Sequence, residues 1–302
     1  MNVLSVDASL PFTVETEADA VAEDRIRLKQ LHLTIPNPAG GWLNIRHLNW
    51  LASEGTIRAH HPALDYPRAR SLVAKLAGSF VSATESPTLA SATHMRTVRQ
   101  GFIHAAVAAL EPLGWSNLRT FTLMNDRWVF TPEEFNHITA TRIKRRLRTH
   151  LVRIGITADA GFLLAFIHGE FDPVSRLYTL HFHGITTAEI ADLLQSLVGK
   201  WGYVPTRTGA SPLRRDRIND PGRQLSYLLK SYWPSKGVRE MLNGSRKRDR
   251  KGRRIPEPYH TQYLLWMDRH RLSDLTVMIG GWSRRKGGSD AMRGVYLSTV
   301  EG

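Results

Sequence analysis

The chain has 302 residues, enough for one extended domain or two small ones, and its 42% apolar, 9% aromatic and 23% charged residues are those of a folded globular protein. It contains no cysteine, which excludes disulfides, thiolate zinc sites, iron–sulfur clusters and a cysteine nucleophile together, and agrees with a reducing, cytoplasmic location. Residues 1–24 hold six acids and no Lys or Arg, the reverse of a secretory leader, so the rest carries +20: the whole chain's +14 with those six acids set aside. A field of that sign suits the phosphates of nucleic acid; with no run near the ~18–20 apolar residues of a membrane span and no long amphipathic basic helix, no membrane partner is expected.

Residues 1–25 lack sustained periodicity and read as a flexible acidic arm. Residues 26–112, broken by prolines and glycines, carry helical patches near 68–82 and 90–112 and predict a mostly helical unit. Within it Trp42, Leu43, Ile45, Leu48 and Leu51 read as core ahead of a helix-turn-helix element.

A new domain, 113–236, opens after Pro112 and Gly114. Leu118–Met124 is β-like, and Thr131-Pro132-Glu133-Glu134 supplies an N-cap, a proline at the first helical position and a capping-box glutamate for a helix to about Arg153. Phe135, Ile138, Leu147 and Leu151 give that helix an apolar stripe, while Arg142, Lys144, Arg145, Arg146, Arg148 and Arg153 load its other faces, either to lie along phosphates or as a solvated surface.

Gly161–Phe171 and Leu177–Ile185 predict a hairpin across Asp172-Pro173-Val174-Ser175. Thr186 and Glu189 form a second capping box, for a helix through Ile190, Leu193, Leu194, Leu197, Val198 and Trp201. A strand around 204–218 follows, then a helix that Asp220-Pro221 starts and Trp233-Pro234 stops. The order β-α-β-β-α-β-α predicts an α+β fold with a ferredoxin-like or RRM-like antiparallel sheet.

Strand alternation sends His181 and His183 to one face, with Phe182 and Leu180 on the other. On the neighbouring strand His168 and Glu170 share a face, so either can supply a third metal ligand across the ladder. On the helix from Pro221, spacing at about 100° per residue puts Leu225, Leu228, Leu229 and Tyr232 on an apolar stripe and Arg223, Tyr227 and Lys230 opposite it. Tyr232 has the address of a core residue. Tyr227, beside two cations that favour its phenolate, is the candidate nucleophile.

Phe121-Thr122-Leu123, His181-Phe182-His183 and Tyr227-Leu228-Leu229-Lys230, in this order and spanning about 116–236, resemble the three motifs of the HUH endonucleases, in particular rolling-circle replication initiators of plasmids and single-stranded DNA phages. The resemblance implies Mg²⁺ or Mn²⁺ held by His181, His183 and a third ligand, for which Glu170 is preferred to His168. It also implies that Tyr227 attacks a phosphodiester of single-stranded DNA, assisted by Lys230 and Arg223, leaving a 5′-phosphotyrosine and a free 3′-hydroxyl. Implied partners are single-stranded and origin duplex DNA, and, since the chain lacks a Gly-x-x-x-x-Gly-Lys-Ser/Thr loop, a separate host helicase.

Residues 237–302 read as a basic, helical C-terminal extension. Arg246, Lys247 and Arg248 belong to a tract through Arg254 expected to be a flexible loop gripping phosphates, or else a solvated linker. Tyr259, Tyr263, Leu264, Trp266 and Met267 predict a packed helix, and 272–282 a short further element. Two other functions fit the same residues: a non-catalytic single-strand nucleic-acid binder, and a histidine-ligated metal hydrolase that activates water.

Overall fold

The computed structural model describes residues 15–35, 64–78 and 87–280, apart from positions 158, 231, 242, 243, 245 and 250. The stretch 36–63, with the Trp42–Leu51 pattern, and residues 281–302 lie outside the described residues. Among the described residues three helices come first: α1 (Glu17–Thr34), α2 (Tyr66–Gly78) and α3 (Ala92–Leu110). They are followed by β1 (Leu118–Phe130), α4 (Pro132–His137), α5 (Ala140–Arg153), β2 (Leu163–Asp172), β3 (Leu177–Thr187), α6 (Ala188–Leu193), β4 (Leu213–Arg217) and α7 (Pro221–Leu228). A two-stranded ribbon, β5 (Val238–Glu240) with β6 (Arg246–Arg248), precedes α8 (Tyr259–Asp268), α9 (Leu272–Leu275) and β7 (Thr276–Ile279).

The main sheet has five antiparallel strands in the order β4-β1-β3-β2-β7. β3 lies between β1 and β2 and pairs antiparallel with both, the split β-α-β arrangement. The α+β class and the antiparallel sheet read from the sequence are therefore present. Among the described residues no helix is long and apolar enough to cross a membrane.

Several boundaries differ from the sequence reading, each for a local reason. Residues 131–153 are two helices, because Thr139 caps a new one, its hydroxyl accepting from the Arg142 N–H at 3.3 Å. The expected Thr186–Glu189 box does not form: the buried Thr186 hydroxyl donates to the Phe162 carbonyl at 2.6 Å, and Thr187 is the N-cap. The helix it starts gives way to a 3-10 turn at Leu194–Leu197, leaving Trp201 outside it at φ 50°. β1 continues six residues past Met124, through a register shift where Asn125 and Asp126 bond Trp201 and Gly202 instead of β3.

Both flanking regions are built into the core rather than appended to it. Residues 15–25, expected as part of a flexible acidic arm, are mostly helix α1, started by a Thr16–Asp19 capping box. The buried Asp24 carboxylate accepts from the N–H groups of Ala92 (2.6 Å) and Thr93 (3.1 Å) and the Ser91 hydroxyl (2.7 Å), capping α3 where its dipole favours an anion. Burial pushes the Glu23 carboxyl up, but its pairs with Arg254 and Arg27 outweigh that and hold it at about 2. At the other end Asp268 draws Lys75 (2.7 Å) and Thr88 (2.8 Å) onto α8, while β7 completes the sheet beside β2. The described part of the C-terminal region, up to residue 280, is thus part of the sheet and core, and Arg254 is spent on this framework.

Tyr178, Leu180 and Phe182 face α4 and α5: Phe135 stacks on Tyr178 at 4.0 Å, and His150 reaches Phe182 through Tyr203 and Trp128. On that face Gly169 leaves room for the Trp233 indole, which a Cβ would strike. Gly169→Ala should therefore lower stability by about 1–3 kcal/mol through overpacking, read as a lower urea midpoint with an unchanged slope.

Candidate metal centre beside Tyr227

The opposite face of the sheet carries His168, His181 and His183. Cross-strand pairing sets His168 directly against His181 and His183 against Phe166, so alternation brings all three imidazoles to one side. One ligand nitrogen of each lies within 4.8 Å of the other two, and among the described residues this is the one group able to hold a metal ion.

Hydrogen bonds orient the rings. The His168 Nε2 lies 2.6 Å from the Leu228 carbonyl. A carbonyl only accepts, so Nε2 carries the hydrogen and Nδ1 keeps the lone pair. The His183 Nδ1 is 2.8 Å from the Thr122 hydroxyl on β1, while its Nε2 faces the His181 Nε2 at 3.0 Å. Burial drives down all three basicities: His168 to about 4, with Lys230 adding to the effect, and His181 to about 3, with His168 adding to it. The His183 imidazole lies well below its usual value, first from burial and then from His181. Neutral imidazoles are the ligating form, and two Nε2 atoms this close need a proton or a cation between them, so the donor set fits a bound metal.

Glu170, preferred in sequence as the third ligand, is not in this group, whose third member is His168. Although it shares the face with His168, its carboxylate is paired with Arg248 of β6. Together they line a neighbouring cavity of about 300 Å³ with Met124, Asn125, Thr179 and Val238. This pair also corrects the reading of Arg248 as a free phosphate contact, and the strand Arg246–Arg248 corrects that of its tract as a flexible loop; Arg246 and Lys247 remain exposed.

Helix α7 brings the tyrosine. Asp220 caps it by accepting from the Arg223 N–H at 3.0 Å, and it ends at Leu228, so Lys230 lies beyond its last turn rather than on it. The Tyr227 ring centroid is 4.9 Å from that of His183 and 6.1 Å from that of His168, on which it stacks. Lys230 Nζ sits 3.7 Å above the Tyr227 ring, a cation–π contact. Burial lowers this ammonium to about 8, with Lys236 and Arg99 nearby pushing the same way.

The phenol of Tyr227 is raised, not lowered as the neighbouring cations suggested: partial burial and Tyr232 outweigh Arg214. Tyr232, expected in the core, is 50% exposed, because the helix that would have turned it inward stops four residues earlier. Arg223 is exposed on α7. Arg142, Arg145 and Arg146 ride on α5, on the far face of the sheet from the imidazoles. Sequence reasoning missed Lys236 and Arg214, which reach the site from a loop and from β4; no local pattern marks either.

Two measurements test the centre. In the metal-free protein, unfolded imidazoles take up protons below about 6.5, whereas His168 stays neutral in the fold to about 4. The unfolded chain then binds more protons, so stability should fall as pH drops through this window, and His168→Gln should flatten the fall in urea midpoints. Mn²⁺ at about a hundred times its Kd should stabilise the protein by about 2.7 kcal/mol, an effect removed in His168→Ala and retained in Glu170→Gln.

Compared with protein-family models, with curated proteins and with solved structures, the chain finds no match.

Proposed function

We propose that the protein nicks and rejoins single-stranded DNA through a tyrosine-linked intermediate, as an HUH-type endonuclease that initiates rolling-circle replication of a plasmid or phage-like element. The observation that carries this reading is the approach of the Tyr227 ring to His183, at 4.9 Å, across a face holding three convergent neutral imidazoles. The split β-α-β sheet, with helix α7 directly after β4, supports the same reading.

His168, His181 and His183 would hold the cation. When bound, it supplies Lewis-acid charge next to the scissile phosphate. The donor set now lacks a carboxylate, which favours Mn²⁺ over Mg²⁺, because imidazole is a poor partner for the harder ion. Tyr227 then acts by its phenol oxygen, which forms a bond to phosphorus as the bond from phosphorus to the 3′-oxygen breaks. The phenol proton is lost, and the departing 3′-oxygen takes one up, so the strand ends as a 3′-hydroxyl and a 5′-phosphotyrosine. The bond energy is conserved, and reversal rejoins the strand without ATP. Lys230, over the ring, offsets the negative charge that grows on the phenol. Arg214, which already favours the Tyr227 phenolate, faces the same charge from β4.

Incubation with end-labelled single-stranded oligonucleotides and Mn²⁺ should yield a covalent protein–DNA adduct. Tyr227→Phe should abolish the adduct and Tyr232→Phe should retain it; His183→Ala should lower the rate by at least about a hundredfold. Adduct formation by Tyr227→Phe would remove this residue from the chemistry, and chelator-sensitive cleavage with both DNA ends free would assign the site to a water-activating hydrolase.

A further inference from the structure

Helix α5 carries six cations (Arg142, Lys144, Arg145, Arg146, Arg148 and Arg153) and no acid in its 14 residues. Among the described residues, none of its five arginines forms an ion pair, and Arg153 lies over the Trp201 ring at 5.5 Å. The charge acts on the inward His150 of the same helix: burial lowers this imidazole, and Arg153, Arg146 and Arg127 lower it further. Unpaired charge packed this densely disfavours the folded state unless an anion neutralises it.

Its distribution is specific. Ile143, Leu147, His150 and Leu151 turn inward. At 3.6 residues per turn, Thr141, Arg145, Thr149 and Val152 form one ridge along the outward side, all exposed, Val152 to 60%. Arg142, Arg146 and Arg153 flank that ridge on one side and Arg148 on the other, where the half-buried Lys144 donates to the Ser273 carbonyl. The helix thus presents a short, mostly uncharged crest between two cationic margins, over a length of about 21 Å.

We propose that α5 lies in the major groove of duplex DNA, on the face of the sheet opposite the imidazoles. A groove about 12 Å wide admits an α-helix, its two phosphate walls meet the two cationic margins, and the crest meets base edges. Arg145 then reaches guanine, and the methyls of Thr149 and Val152 pack on thymine. An anionic membrane fits less well, because the apolar side of α5 is already in the core. Helical RNA fits less well too, because its major groove is too deep and narrow for side chains to read. The inference goes beyond the nicking reading and stands without it: the duplex and the reacting strand occupy opposite faces of one sheet.

The test is anisotropy with the full chain on a labelled random-sequence DNA duplex and on a single strand of equal length, over a range of salt, together with selection of preferred sequences from the duplex pool. Arg145→Glu with Arg148→Glu should weaken duplex binding by at least about tenfold and make its salt dependence shallower, with single-strand binding and Mn²⁺ stabilisation unchanged. Arg145→Ala alone should erase a preference for guanine in the selected sequences. Unchanged duplex affinity, or equal losses on duplex and single strand, would overturn the proposal, as would tighter binding to phosphatidylserine vesicles or duplex RNA. Because every substituted position is exposed, retained Mn²⁺ stabilisation separates a lost surface from a lost fold.

Discussion

One hydrogen bond ties the candidate centre together: His168 Nε2–H to the carbonyl of Leu228, at 2.6 Å. Leu228 is the last residue of α7, where helical carbonyls have no partner within the helix. By donating there, a residue in the middle of β2 satisfies the helix end, fixes its own tautomer and sets the position of Tyr227 one residue earlier. The nucleophile candidate and the ligand cluster are therefore held by the same contact. A change at His168 acts on both at once, and His183 also touches both, since its ring meets that of Tyr227.

Burial governs the electrostatics of this face. Three imidazoles in one apolar layer stay neutral, and Lys230, drawn over the Tyr227 ring, is held down to about 8 by burial and by Lys236 and Arg99. The carboxylate on the same face, Glu170, is paired with Arg248. The result is an all-nitrogen donor set bordered by cations, suited to an anion such as a phosphate arriving next to a metal. It also directs the metal question toward ions that accept imidazole.

Charge that looked like a single basic surface divides into three uses. Arg254 holds α1 to the core through Glu23, and Arg27 does so by donating to the Ala90 carbonyl. Arg248 closes a cavity wall with Glu170, and Arg215 pairs with Asp192. The arginines of α5, on the side away from the imidazoles, form no ion pair among the described residues. Net charge alone cannot sort these, because pairing depends on which acids the fold brings within reach.

The sequence by itself determined most of the order from β1 to α7, the inward placement of Leu147 and Leu151 and the shared face of His181 and His183, because these follow from periods of 2 and 3.6 residues acting over short range. Parity left His168 and Glu170 equivalent. Only the tertiary structure separated them: β6 carries Arg248 to one of the two, and the end of α7 carries a carbonyl to the other. The same long-range packing set the residues of α1 as a cap on α3 and added β7 to the sheet. Each of these contacts joins segments far apart in the chain, where no local propensity records which partner a side chain will meet.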